Sequence, residues 1–277
     1  MTDTHGVLSV VATPIGNLDD ITYRAAAVLR AASVIACEDT RHTRKLLNHL
    51  GIATPTVSLH EHNEAARTAE LIARLERGDP VALVSDAGTP LISDPGYRLV
   101  REAAARGIRV TPIPGPSAAL AALAASGLPA DAFRFCGFLP RKQGERRRLL
   151  ESLAAETATL IFYEAPHRVL ESLADIAEVR RDPETVAARE LTKLHEEFLR
   201  GAASKVRATL AARGEPRGEF TLVVGPPSPA PAASGDAAAA VRELEARGFS
   251  RMEAIKQVAR ERGLPKREIY ALVEKRR

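Results

Sequence analysis

The chain has 277 residues, 45% hydrophobic and 27% charged, with 39 Lys and Arg against 35 Asp and Glu for a net charge of +4; this is the balance of a soluble globular protein large enough for two modest units, or one large unit with an appendage. Two cysteines, Cys37 and Cys136, make neither a disulfide framework nor a four-cysteine zinc site. No apolar run approaches the roughly 18–20 residues of a membrane span, no basic segment precedes the first apolar stretch as in a secretory signal, and without Trp and with 4% aromatics a broad stacking platform for single-stranded RNA is not expected.

In chain order, residues 7–12 read as a buried strand, and Asp20 caps a helical pattern running to residue 32. Residues 33–36 form a second strand, 40–50 a helix stopped by Gly51, and 56–59 a strand. A helix over 63–77 ends at Gly78-Asp79-Pro80. Residues 81–85 form a strand, 95–106 a helix and 109–113 a strand. Strand–helix alternation of this kind predicts an α/β layer architecture. The Pro/Gly cluster around Gly115 marks a boundary and leads into an Ala/Leu helix ending at Gly127. There follow strand 133–138, helix 143–155, strand 159–163, helix 168–179, strand 185–189, helix 203–213 and strand 219–224. GPPSPAPAASG, residues 225–235, has linker composition.

Three short helices are expected beyond it. One spans 237–247 and closes at Gly248. The next is opened by a Ser250–Glu253 capping box and closed by Gly263. The third has Pro265 in its first turn and runs to about Lys275. Met252, Ile255 and Val258 share helical spacing, as do Ile269 and Leu272, which suits a small bundle of helix-turn-helix type. The predicted organisation is an α/β unit over 1–114, a second over 115–225, a linker over 226–235 and a helical unit over 236–277. The helical unit holds eleven basic and seven acidic residues, so it carries the whole net charge and the rest balances.

Two loops leave strand ends: Thr13-Pro-Ile-Gly-Asn17 and Ser85-Asp-Ala-Gly-Thr-Pro-Leu-Ile-Ser-Asp-Pro-Gly96. Ligands of open α/β sheets bind beyond the carboxyl ends of strands, and Gly and Pro there let a ligand approach main-chain groups. The competing reading is an ordinary tight turn, which the recurrence of such loops disfavours. Neither loop is a P-loop or a G-x-G-x-x-G turn, so nucleoside triphosphate and NAD are not expected. Charged segments 37–44 and 60–64 also follow strands. His60, His62 and Glu64 alternate at strand-like spacing without a fourth ligand, so no metal is expected. Tyr163-Glu-Ala-Pro-His-Arg168 and Ala188-Arg-Glu-Leu-Thr-Lys193 bring Arg, Lys and Glu to further strand ends. There they could hold phosphates and handle a hydroxyl proton, or form plain surface ion pairs.

Taken in order, PIGNLDDIT, CEDTR, HEHNE, SDAGTPLISDPG, PGPSA, GFLPRK, EAPHR, ARELTKLHEE and GEFTLVV resemble the tetrapyrrole-methylase-like (class III) S-adenosylmethionine methyltransferases. Within them, the set is most similar to the 16S rRNA cytidine 2′-O-methyltransferases. The resemblance runs over residues 7–224, and the C-terminal helical unit resembles one that this family carries. It implies two α/β domains with S-adenosyl-L-methionine in the cleft between them. It also implies 2′-O-methylation of a cytidine in the decoding region of 16S rRNA, a cytoplasmic location and a homodimer.

By the same resemblance Pro14 and Ile15 would border the cofactor. Asp86, Ala87, Gly88, Thr89 and Pro90 would contact its amino-acid end, largely through backbone. Ser117 and Ala118 would reach it across the cleft, and Phe162, Tyr163, Ala188 and Thr221 would flank the adenine. Recognition would then be by shaped backbone rather than by charge. Transfer to a ribose hydroxyl needs that hydroxyl positioned and its proton removed. The candidates are Glu38, Asp39, Glu164, Glu190 and Lys193, with Glu190 and Lys193 assigned as the proton-handling pair.

Arg41, Arg168 and Arg189 are expected to hold RNA phosphates or orient those carboxylates. Arg146, Arg147 and Arg148, in the basic run 141–148, are expected to contact phosphate, with at least one of the three left as plain surface. Arg251, Lys256, Lys266 and Arg267 offer a second RNA contact, against the competing reading of a dimer or packing module. Two alternatives are weaker. The basic run and the helical unit argue against a small-molecule methyltransferase acting on a tetrapyrrole-like substrate. The lack of a helix rich in Asn, Gln and Arg base readers argues against a helix-turn-helix regulator.

Overall fold

Apolar strands without polar alternation need cover on both faces, and the first part of the chain meets this with a parallel sheet. The computed structural model describes residues 5–227, 236–262 and 266–274. In it β1 (Leu8–Val11), β2 (Val34–Cys37), β3 (Thr56–Ser58), β4 (Val81–Val84) and β5 (Val110–Ile113) lie in the order β3-β2-β4-β1-β5, all parallel. β2 and β4 are buried at every residue. α1 (Tyr23–Ala31) and α2 (Thr40–His49) cover one face through Leu29 and Leu47, which cluster with Val11, Ile35 and Val84. α3 (Glu64–Glu76) and α4 (Tyr97–Ala105) cover the other through Leu71, Leu75 and Leu99, which cluster with Leu8 and Leu83.

Asp20 does not cap α1. Residues Leu18–Asp20 form a separate 3-10 turn capped by the Asn17 side chain, and the Thr22 hydroxyl accepts from the Ala25 amide at 3.0 Å to cap α1. Thr22 has the extended backbone and short hydroxyl that an N-cap requires, two residues later than expected.

β6 (Phe133–Phe138), β7 (Thr159–Glu164), β8 (Glu184–Arg189), β9 (Glu197–Ala202) and β10 (Phe220–Val224) form a second, mixed sheet in the order β6-β7-β10-β8-β9. Only the β6–β7 pair is parallel. α5 (Ala118–Ser126) packs on one face against Ile161, Val186, Ala188 and Val223. α6 (Gln143–Ser152), α7 (Val169–Val179) and α8 (Ala203–Ala211) cover the other, against Leu160, Phe162, Ala187 and Leu222. β9 was not anticipated. It is an edge strand with no buried residue, and its turn from β8 places Glu190 and Thr192 at positive φ without a glycine, so neither alternation nor turn chemistry announces the hairpin.

At the C-terminal end α9 (Ala237–Ala246), α10 (Arg251–Arg262) and α11 (Lys266–Glu274) share a core of Val241, Leu244, Ala254, Ile255, Val258 and Ile269. The capping box forms: the Ser250 amide donates to Glu253 Oε2 at 3.0 Å, and the Glu253 amide donates to Ser250 Oγ at 3.4 Å. Met252 and Leu272, expected in the core, are about half exposed. The buried stripe of α10 follows Ala254, Ile255, Val258 and Ala259, and that of α11 follows Ile269 and Val273, which leaves both residues off-face. Gly263, Pro265, Lys275 and residues 228–235 of the expected linker lie outside the described residues. Among the described residues no helix is long and apolar enough to cross a membrane.

Candidate active site

The strand order sets the site. Because β2, β4 and β1 are neighbours, the loops leaving their C-terminal ends stand side by side. The β1 and β4 loops are stitched together by a bridge, Thr13 N to Gly88 O at 2.8 Å and Gly88 N to Thr13 O at 3.0 Å. Ser85 Oγ also donates to Gly88 O at 2.9 Å. Gly88 needs its φ of +85°, a region that side chains rarely adopt. The β2 loop joins them when the Asp39 amide donates to Asp86 Oδ1 at 3.1 Å. Leu91 and Ser93 hold positive φ in the same loop, the kind of local strain that collects at functional sites.

These loops face the second sheet across a cavity of about 370 Å³, within the range of about 300–1,000 Å³ for small-molecule sites. The first sheet contributes Ile15, Asp86, Ala87, Ile92, Ser93 and Asp94, and Ala118 opens α5. The second sheet contributes Phe138, Tyr163, Glu164, Ala165, Pro166, Leu191, Glu219, Phe220 and Thr221. The Tyr163 ring stands edge-on to Phe135 and Phe138, with centroids 4.9 and 5.6 Å away.

Gly16 permits the closest approach of the two sides. A Cβ there would lie 2.5 Å from Lys193 Cγ and 2.9 Å from both Leu191 O and Thr192 Oγ1. The Asn17 amide donates to Thr192 Oγ1 at 3.1 Å beside it.

Of the expected cofactor residues, Ile15, Asp86, Ala87, Ala118, Tyr163 and Thr221 come together in the cavity wall. Thr221 pairs with Tyr163 on one side and Ala188 on the other, so these three share the α5 face of the sheet. Phe162 does not belong with them. It is fully buried on the opposite face, among α6, α7 and α8, because successive strand residues point to opposite sides. Pro14, Gly88, Thr89, Pro90, Ser117 and Ala188 are not in the wall. Thr89 Oγ1 donates to Pro116 O at 3.4 Å, and Ser117 Oγ accepts from the Leu120 amide at 3.5 Å as the cap of α5, so both shape the loops.

Charge is present where shaped backbone alone was expected. Burial pushes the Asp94 carboxyl up to about 6, helped by the nearby Glu38 and Asp86. Burial also raises Glu38, with Asp86 and Glu61 adding to it. S-adenosylmethionine, the cofactor that the sequence resemblance implies, carries a sulfonium and an ammonium against one carboxylate and is a net cation. The wall would fit such a group, with Tyr163, Ile15 and Leu191 as apolar surface for an adenosine and carboxylates for a cationic end.

Glu190 and Lys193 are outside the wall. Lys193 Nζ donates to Glu190 Oε1 at 2.9 Å and to Glu219 Oε2 at 3.0 Å, and the Glu219 amide donates to Glu190 Oε1 at 2.9 Å. Burial favours the neutral form of both, but these bonds outweigh it. Glu190 is held below the usual carboxylate range and Lys193 above its ordinary value, so neither is suited to take a proton at neutral pH. Glu164 lines the cavity with its oxygens committed to the Ala165 amide, Arg168 and Ser172. Arg168 is correspondingly held inside, and Arg189 pairs with Glu197 at 3.4 Å.

Arg146 cannot reach RNA. Its side chain is 1% exposed and is paired with Asp175 at 2.7 Å and Glu171 at 3.4 Å. Arg147 is half-buried and engages Glu178 and Asp175, whereas Arg148 is exposed. Arg41 is exposed and clasps Asp39, which it holds down at about 2. In the helical unit Arg251 pairs with Glu274 at 2.7 Å, and Lys256, Lys266 and Arg267 are exposed. Among the described residues no three His, Cys, Asp or Glu side chains converge to hold a metal. Glu64 instead accepts from the Gly96 and Arg98 amides at the start of α4.

The chain matches the model of the Tetrapyrrole (Corrin/Porphyrin) Methylases over residues 7–207. It is 49% identical to Ribosomal RNA small subunit methyltransferase I of Halalkalibacterium halodurans, covering 97% of this chain and 94% of that protein. It is 44% identical to the protein of that name from Bacillus subtilis, with 96% and 93% covered. Among solved structures it resembles diphthine synthase, with a TM-score of 0.61 at 16% identity over 79% of this chain and 90% of that one. It also resembles uroporphyrin-III-C-methyltransferase from Thermus thermophilus, with a TM-score of 0.56 at 22% identity over 79% and 94%. Two sheets meeting at a cation-suited cavity, the family match and relatives of near-half identity along the whole chain agree: it belongs to the tetrapyrrole methylase family, in the group of the ribosomal RNA small subunit methyltransferase I proteins.

Proposed function

We propose that this methyltransferase transfers a methyl group from S-adenosyl-L-methionine to the 2′-oxygen of a cytidine in 16S rRNA within the small ribosomal subunit. The observation that carries the reading is the near-half identity, over 97% of the chain, to a protein named for rRNA of that subunit. The cavity supports it. Ile15, Asp86, Ala87, Ala118, Tyr163 and Thr221 would hold the cofactor directly. Pro14, Gly88, Thr89, Pro90, Ser117 and Ala188 would set the backbone around it. When bound, the cofactor supplies the electrophilic methyl group. The protein then has to bring a ribose hydroxyl in line with it and exclude water.

Phosphate contacts fall to exposed cations: Arg41, Arg148, Lys256, Lys266 and Arg267. The active species would be a cytoplasmic homodimer, for which sedimentation of the purified protein reads twice the chain mass. The deciding experiment incubates the protein and labelled cofactor with small subunits from cells lacking the enzyme, then maps the modified nucleotide. Label on a cytidine 2′-oxygen supports the reading. Label on a base redirects it, and absence of label from all RNA refutes it.

A further inference from the structure

A second groove, lined by Glu38, His60, Glu61 and His62, adjoins the cavity, and the two share Ser93 and Asp94 in their walls. Asp94 therefore lies on the boundary between the two, lining both. The other carboxylates of the cavity wall each accept at least one hydrogen bond from the protein. Asp86 accepts from the Asp39 amide, Glu219 from Lys193, and Glu164 from the Ala165 amide, Arg168 and Ser172. Among the described residues none donates a hydrogen bond to the Asp94 carboxylate. It is half-buried in a loop fixed by left-handed backbone at Leu91 and Ser93.

We propose that Asp94 is the proton acceptor of the methyl transfer. The proposal rests on the methyltransferase reading above and names the group that activates its hydroxyl substrate. The hydroxyl oxygen forms its bond to the methyl carbon, and the carbon–sulfur bond breaks with its electron pair going to sulfur. The hydroxyl proton passes to a carboxylate oxygen of Asp94. The positive charge of the sulfonium and the negative charge of the carboxylate are both lost in the same step, so the transfer creates no new charge in the site.

The ionisable groups that line the cavity and groove with Asp94 are Asp86 on its own loop, Glu38 after β2, Tyr163 and Glu164 on β7, Glu219 before β10, His60, Glu61 and His62 after β3, Glu64 on α3 and Tyr97 on α4. Burial, Glu38 and Asp86 together hold the Asp94 carboxyl at about 6. It is therefore ionised at neutral pH yet more basic than an ordinary aspartate, as a general base should be.

The test is single-turnover methylation of unmodified small subunits with labelled S-adenosylmethionine, followed across pH. At limiting cofactor, where the rate follows the free protein, the unaltered protein should lose rate tenfold per pH unit below about 6. Asp94→Asn should be slower by at least ~10²-fold and lose that pH dependence, while equilibrium binding of the labelled cofactor persists and reports an intact fold. Glu38→Gln keeps Asp94 and should move the acidic limb to lower pH, because a like charge is gone. An Asp94→Asn protein that keeps the limb, or whose whole defect is weakened cofactor binding, overturns the proposal. So does a Glu38→Gln limb that does not move. Absence of label with the unaltered protein at every pH fails the methyltransferase reading itself, and the proposal with it.

Discussion

Arg146 separates a fold contact from an RNA contact. Its guanidinium and the Asp175 carboxylate are 1% and 3% exposed and meet at 2.7 Å. Arg146→Met would leave Asp175 buried without its main partner, a loss that costs about 3–5 kcal/mol. Arg147 at 3.6 Å and Gln143 at 3.4 Å still face Asp175, which places the cost at the lower end, ~3 kcal/mol. For a chain of this size each kcal/mol moves the thermal midpoint by about 2–4 °C, so Arg146→Met should unfold about 6–12 °C lower in a circular-dichroism melt. Arg146→Met with Asp175→Leu removes the charge as well as its partner and should recover most of that loss. A phosphate-binding Arg146 behaves differently: the melt is unchanged, and the slope of log affinity for small subunits against log salt falls by about 0.7–0.9. That pair of results would refute the structural assignment.

Three other outcomes follow from the site. Gly16→Ala drives a methyl group into Lys193 and the Leu191 carbonyl, and overpacking of this sort costs about 1–3 kcal/mol; calorimetry should show weaker cofactor binding, not rescued by Lys193→Ala because the carbonyl remains. Glu190→Gln and Lys193→Ala should each lose less single-turnover rate than the ~10²-fold that removal of a general base costs, since both side chains bind each other outside the cavity wall. Asp94→Asn should raise the thermal midpoint at about pH 8, because a carboxyl raised from 3.8 to about 6 makes the ionised folded state less stable. With the group partly in water the gain is ~1 kcal/mol, and it should vanish as pH falls through the unfolded value near 3.8; a gain that persists in acid would contradict the burial origin of the shift.

Strands such as 34–37 and 81–84 were legible because a run of apolar residues between turn signals has few alternatives. The β1 and β4 loops were legible for the same reason, since Gly and Pro mark where the chain must bend. What sequence spacing could not supply was facing. Phe162 and Tyr163 are neighbours in the chain, yet only the pairing register shows that Tyr163 alone faces the cavity. Arg146 and Arg148 are likewise two residues apart on α6, one at zero exposure and the other open.

Asp94 lay inside a loop already singled out, but the expected contacts stopped at Pro90. Nothing in the residue types reveals that Leu91 and Ser93 turn left-handed and carry Asp94 into the wall. Ile92, Phe138, Leu191, Glu219 and Phe220 were missed in the same way. They come from four separate segments of the chain, and only the fold brings them together.

Charge makes the same distinction for the whole chain. The net +4 can be assigned to residues 236–277, with eleven basic against seven acidic, leaving a neutral body. Neutral on average, that body is acidic at its centre. Glu38, Glu61, Asp86 and Asp94 are close enough that Asp86 and Glu61 raise Glu38, while Glu38 and Asp86 raise Asp94. Such a group repels a polyanion within the roughly 10 Å over which charge acts at 0.1 M salt. It therefore suits a cationic cofactor and the amino donor of a base edge, not a phosphate. On the proposed reading the backbone of the RNA has to be held by cations elsewhere. Arg41 is already balanced by Asp39 and contributes less, so of the cations proposed for this role Arg148 on α6 and Lys256, Lys266 and Arg267 in the helical unit carry most of the net attraction. A site that is acidic where chemistry occurs and basic only at its periphery cannot be read from a total, because the total adds the two together.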